Sequence, residues 1–140
     1  MIHSIIQDNQ KKLLHLFKNC QTNEEIYKTL LTIGQNAPLL DPSEKTETNR
    51  VHGCQSQLFL TCSGTQASLH YKVDADALIS KGLAGTLIAI YEGAAAEDIL
   101  KTPLTFFQEI GLHSLLSPTR LNGLEGLERK AKQLALSYII

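Results

Sequence analysis

The chain has 140 residues, the size of one domain, and 43% of them are hydrophobic, enough for a real core. Thirteen basic residues face fourteen acidic ones, for a net charge of −1. No positive surplus is available to hold a phosphate backbone or an anionic membrane surface, so nucleic-acid and membrane partners are not expected. No apolar run approaches the roughly 20 residues needed to span a bilayer. The start, Met1-Ile2-His3-Ser4-Ile5-Ile6-Gln7-Asp8, lacks the basic opening and long apolar stretch of a signal peptide. The expected location is the cytoplasm, where thiols stay reduced, and the three cysteines read as free thiols.

In chain order, Ile2, Ile5, Ile6, Leu13, Leu16 and Phe17 recur at helical spacing and predict a first helix over about 2–18. Thr22 followed by Glu25 is a capping-box pattern that opens a second helix, with Gly34 as its expected stop. The polar stretch 36–49, with Pro38 and Pro42, reads as an exposed loop inside one domain spanning 1–140. Leu58, Leu60 and Cys62 share one face of 57–62, and Leu69, Tyr71 and Val73 one face of 68–73, which predicts two strands. The segment Ser63-Gly64-Thr65-Gln66 is expected to turn between them and make an antiparallel hairpin. The segment 77–91 is apolar almost all round and predicts the buried central helix, capped by Asp74 or Asp76 and ended by Gly93. Thr102-Pro103 is expected to open a short helix that Gly111 closes, and Ser117-Pro118 a final one reaching towards Tyr138. The fold class is α+β, a small antiparallel sheet packed on helices.

The cysteines differ in their surroundings. Cys62 falls on the apolar face of a predicted strand and reads as a small buried hydrophobe. Cys20 ends the first helical region and reads as incidental. Cys54 lies in Val51-His52-Gly53-Cys54-Gln55-Ser56-Gln57, between the polar loop and the first strand. Gly53 permits a sharp turn that can lift a thiol to a loop tip. If the segment is extended, Arg50, His52 and Cys54 point the same way, and positive neighbours favour the nucleophilic thiolate. Spacing alone leaves a reactive and an ordinary Cys54 both open. No CxxC pair or helical HxxxH pair suggests a metal site, so none is expected, and His113 reads as a loop or core histidine. Gly82-x-x-Gly85 lies inside a predicted helix and lacks the strand and Lys-Ser/Thr ending of a phosphate loop.

The run Val51-His52-Gly53-Cys54-Gln55-Ser56-Gln57-Leu58 resembles the V-x-G-C-Q-S-Q-hydrophobic signature of the SufE family. Leu31-Thr32-Ile33-Gly34-Gln35 with Pro38-Leu39, Asp76-Ala77-Leu78-Ile79-Ser80-Lys81-Gly82-Leu83, and Leu116-Ser117-Pro118-Thr119-Arg120 with Gly123-Leu124 resemble three further family segments, in order. The chain departs from the pattern at Phe59, where members often carry Trp, and near Asn36, where they often carry a basic residue.

The resemblance implies a fold like SufE and the IscU-type scaffolds, and a role as sulfur acceptor. Cys54 would take persulfide sulfur from a SufS-type, pyridoxal-phosphate-dependent cysteine desulfurase, stimulate that enzyme, and deliver the sulfur to a downstream iron–sulfur scaffold. The chain would need no cofactor beyond the transient persulfide on Cys54, and carbon–sulfur cleavage would belong to the desulfurase. Gly53 would give the loop its freedom, Gln55 and Ser56 would donate hydrogen bonds to it, and Arg120 would help dock the partner or steady the thiolate, with His52 nearby. The alternative from a different class is an IscU-type scaffold that holds the cluster itself.

Overall fold

The computed structural model describes residues 4–53 and 57–140. Helix α1 is Ile5–Phe17 and buries Ile6, Leu13 and Phe17 along one stripe. It begins at Ile5 rather than near Ile2, because Ser4 is extended and its hydroxyl accepts the Gln7 N–H. Helix α2 is Asn23–Asn36. Thr22 caps it as expected, accepting the Glu25 N–H, but only half of the expected box appears. The Glu25 carboxylate accepts from the Thr22 hydroxyl. The helix also runs past Gly34 and ends where Ala37 turns extended ahead of Pro38.

Gly34 has a different task. A Cβ there would stand 2.9 Å from the Gly82 nitrogen, and one on Gly82 would stand 2.5 Å from the Leu30 carbonyl oxygen. Helix α3, Leu78–Tyr91, therefore lies on α2 with backbone against backbone. It is buried nearly all round, as expected of the central helix, and Gly93 follows its end at φ 75°. The expected aspartate cap is absent: the N-cap position is Ala77, with no side-chain hydrogen bond. Asp74 instead pairs with Lys45 at 2.7 Å, and Asp76 accepts the Gln57 N–H.

The sheet is one antiparallel hairpin, β1 Leu58–Thr65 and β2 Ser68–Ala75, in register from Leu58 opposite Ala75 to Thr65 opposite Ser68. The strands are longer than expected and the turn is only Gln66-Ala67. Ser63, Gly64 and Thr65 stay paired because the hairpin's tip projects past the core, where polar side chains are solvated. Leu58, Leu60, Leu69, Tyr71 and Val73 are buried. β2 packs on α3 and β1 on the last helix. The polar stretch contains two short 3-10 turns, Pro42–Glu44 and Glu47–Asn49. Its flanks cover the sheet: Leu39 bridges Val73 and Arg50 bridges Phe59.

Helix α4, Ala96–Lys101, was not expected; its N-cap is Ala95, which leaves no capping side chain to read. Thr102-Pro103 ends this helix rather than opening one, with the Thr102 N–H on the Asp98 carbonyl. Helix α5 is Phe106–Glu109, and Gly111, at φ 77°, closes it as expected. Helix α6, Pro118–Leu136, starts as read: the Ser117 hydroxyl accepts the Arg120 N–H, and Pro118 takes the first helical position. One cluster of buried side chains draws on the six α-helices and two strands of the described residues, and the α+β class holds. No helix among the described residues is long and apolar enough to cross a membrane.

Replacing Gly82 by Ala is expected to cost about 2–3 kcal/mol, because the new methyl meets backbone that cannot move aside. Gly111→Ala, with nothing within 4 Å of the new methyl, should cost about 1–2 kcal/mol from its left-handed backbone alone. Urea unfolding of both variants checks the order.

Candidate functional site

The chain reaches the site from the second 3-10 turn. The Val51 N–H donates to the Leu58 carbonyl at 2.8 Å, and the Val51 side chain is fully buried. His52 and Gly53 then turn, with Gly53 at φ 91°. Such a backbone angle favours glycine, which is the turn expected just before Cys54. The turn ends the extended alternation at His52 and Gly53, and the expected alignment of Arg50 and His52 with Cys54 involves a residue outside the described ones. Arg50 and His52 each approach Glu47, both at 3.7 Å, and both stay partly or largely exposed.

Helix α6 supports this turn closely. A Cβ on Gly126 would stand 2.3 Å from the His52 carbonyl oxygen, and one on Gly53 would stand 3.8 Å from the Asn122 carbonyl oxygen and 4.0 Å from Arg129 Nη2. Residues 122, 126 and 129 follow the i, i+4, i+7 spacing of one helix face. Lys130 adds a hydrogen bond to the Thr48 carbonyl at 2.7 Å. On the other side, Gln57 is held twice. Its N–H donates to Asp76 Oδ1 at 2.9 Å, and its carbonyl accepts the Asp76 N–H at 3.1 Å. Cys54, Gln55 and Ser56, three of the expected site residues, lie outside the described residues. The residues flanking them on each side are tied to the fold.

A groove of about 400 Å³ opens beside this segment. Leu58, Ala77, Leu83, Leu124 and Leu127 give it an apolar lining, and Ser80, Ser117, Thr119 and Arg120 supply polar groups. Leu58 follows Gln57 directly, so the groove adjoins one tied end. Arg120 is an exposed residue of α6's first turn, and its side chain contributes to the groove wall.

The other cysteines stand elsewhere. Cys62 is half-buried rather than a core residue, because its end of β1 lies towards the rim. Tyr138 donates to its carbonyl at 3.1 Å. Burial pushes its thiol up to about 11, and hydrogen bonds involving Tyr71 and Tyr138 offset this only in part. Cys20 Sγ lies 3.4 Å from Thr29 Oγ1. His113 is exposed in the short turn Leu112–Ser114. Among the described residues no three His, Cys, Asp or Glu side chains gather as metal ligands.

Sequence reasoning missed Gly126 and Arg129 and gave Asp76 the wrong task. The signal for Gly126 was its place: two glycines three apart inside a helical pattern mark a close backbone approach. Asp76 and Arg129 had no such signal, because their partners lie far off in sequence.

Two outcomes follow. Asp76→Ala removes the carboxylate that holds the Gln57 N–H, and exchange of that amide with deuterium should speed up about tenfold. Alkylation of Cys62 should be very slow at pH 8, where only about one thiol in a thousand is ionised. It should rise about tenfold per pH unit up to about 11, read by peptide mass.

The likeness to known proteins agrees with this geometry. The family model described as SufE, Fe-S metabolism associated domain, matches residues 11–135. The solution structure of a hypothetical protein from Thermus thermophilus is similar to this chain at 27% identity, with a TM-score of 0.77, over 94% of this chain and 96% of that one. With the family model covering nearly the whole chain, this protein belongs to the SufE family, whose domain is associated with iron–sulfur metabolism.

Proposed function

We propose that the protein is a sulfur carrier of iron–sulfur cluster assembly, with Cys54 as its persulfide acceptor. A SufS-type cysteine desulfurase forms a persulfide on its own cysteine. The Cys54 thiolate attacks the outer sulfur, the sulfur–sulfur bond of the donor breaks, and the desulfurase thiolate leaves with the electron pair. Cys54 then carries the persulfide and passes its outer sulfur to a nucleophilic thiol of a downstream scaffold. Oxidation states balance at each exchange, so no external oxidant or reductant enters. Carbon–sulfur cleavage stays with the desulfurase, and the carrier speeds it by clearing its persulfide.

The observation that carries this reading is the pair of ties on either side of the Cys54 segment, Val51 to Leu58 and Gln57 to Asp76, next to an apolar groove. A persulfide withdrawn towards leucine side chains would be kept from water and from stray thiols. We infer that the groove lined by Leu58, Leu83, Leu124 and Leu127 is its resting place. Arg120, in the wall of the same groove, is suited to meet a sulfur anion there. The scaffold alternative asks three cysteines to converge on one centre, and Cys62, on a strand beside Tyr138, and Cys20, against Thr29 of α2, have separate surroundings.

Intact mass after incubation with an active SufS-type desulfurase, its cofactor and cysteine tests the reading. The native chain should gain sulfur that a reductant removes, and Cys54→Ser should gain none. Equal gain in both would reject Cys54 as the acceptor. Leu124→Glu, placing a charge in the groove, should load at first and then lose its persulfide several-fold faster to added glutathione.

A further inference from the structure

The groove is ordered along α6. Arg120, Leu124 and Leu127 follow the i, i+4, i+7 spacing of one helix face, and all three line it. Its polar groups on this helix, Ser117, Thr119 and Arg120, stand at the helix start, and its leucines lie one and two turns further on. Leu58 and Leu83 add to the apolar wall. All four leucines are more than nine-tenths buried, yet about 400 Å³ stays open beside them. Arg120 is the one charged side chain among the described residues of the lining. It is exposed, and among the described residues no acid lies within ion-pairing distance of it.

We propose that the groove binds a small amphipathic carboxylate, an alkyl acid of medium chain length, with its head on Arg120 and its tail on the leucines. Charge complementarity chooses the head, because a wall with one cation and no acid takes an anion. A carboxylate matches the planar fork of an arginine, and the Thr119 hydroxyl stands at the same end. The first turns of α3 and α6 add to the preference for negative charge. Length chooses the tail: the rise from Arg120 to Leu127 is about 10 Å, roughly that of an extended eight-carbon chain. Apolar walls with a few polar groups at one end, around a space of this size, are what small-molecule sites present.

The inference goes beyond the carrier reading and does not rest on it, since every residue it uses is in the groove itself. It also separates the acid from simpler occupants. An inorganic anion would satisfy Arg120 and leave the leucines unused. An uncharged or cationic amphiphile would use the leucines and leave Arg120 without a partner. Each methylene laid on the leucines should tighten binding about two- to threefold, short of full burial because the groove opens on one side.

The test is a titration of the full-length chain, carrying no added sulfur, with butanoate, hexanoate, octanoate and octylammonium, followed by amide NMR shifts. Octanoate should move the amides of Ser80, Leu83, Leu124 and Leu127 and bind about fifteen- to eightyfold more tightly than butanoate. Octylammonium should bind about tenfold more weakly than octanoate, or less. Arg120→Gln should weaken octanoate about three- to tenfold, and Arg120→Lys by a smaller factor. Thr119→Glu puts an acid at an exposed first-turn position that tolerates one, and should weaken octanoate at least as much as Arg120→Gln. The amide spectrum of each variant reports that it is folded. Shifts confined to other parts of the chain, affinity that ignores chain length, equal binding of the ammonium, or an unchanged Kd in Arg120→Gln would each overturn the proposal. No desulfurase enters the assay, so a failure to bind the acid leaves the carrier reading standing, and a failure to load sulfur leaves the acid site standing.

Discussion

The contact on which the site depends is the seat of the His52 carbonyl against the backbone of α6 at Gly126. Only a residue without a Cβ allows an oxygen so near a helix. That approach fixes where Gly53 turns, and it follows from how α6 itself is held. Tyr71 donates to the Ala131 carbonyl at 2.7 Å, and Tyr138, beyond the helix end, donates to the Cys62 carbonyl. The hairpin thus sets α6, and α6 sets the turn. The same arrangement leaves the groove, which the first turns of α3 and α6 line together with Leu58, Leu124 and Leu127.

The three thiols illustrate how local surroundings divide one chemistry. Cys62, half sunk beside two tyrosines, keeps its proton well above neutral pH and makes a poor nucleophile. Cys20 shares a contact with the Thr29 hydroxyl. Cys54 follows a left-handed glycine, between Val51, which donates to the Leu58 carbonyl, and Gln57, which Asp76 holds. A carrier benefits from that division. Sulfur arriving as a persulfide can be exchanged onto any accessible thiolate, so burying one competitor's charge narrows the choice.

Much of this was legible in the sequence, and the reasons for the rest are specific. The hairpin, the buried central helix, the Ser117-Pro118 start and the Gly111 stop all rest on local chemistry, and local chemistry sufficed. Gly34 was misread as a stop because a glycine near a helix end looks the same whether it caps the helix or admits a neighbour. Gly82, 48 residues on, decides the matter. Thr102-Pro103 was misread because the same dipeptide can begin a helix or follow one, and only the uncapped α4 before it tells which. Asp76 was assigned to the helix beside it, whereas its carboxylate serves Gln57 across the hairpin. At the site, four family segments pointed to Cys54 and its neighbours. The helix face of Asn122, Gly126 and Arg129 needed the fold.

The central claim is that Cys54 by itself suffices as the sulfur acceptor. The most direct measurement uses a variant that keeps Cys54 and replaces Cys20 and Cys62 by alanine, mixed with one equivalent of desulfurase already charged with persulfide. The account predicts that sulfur leaves the desulfurase and appears on the variant within one turnover, mapped to the peptide that contains Cys54. A folded variant that takes no sulfur while the native chain does would contradict it, and would place the acceptor at Cys20 or Cys62.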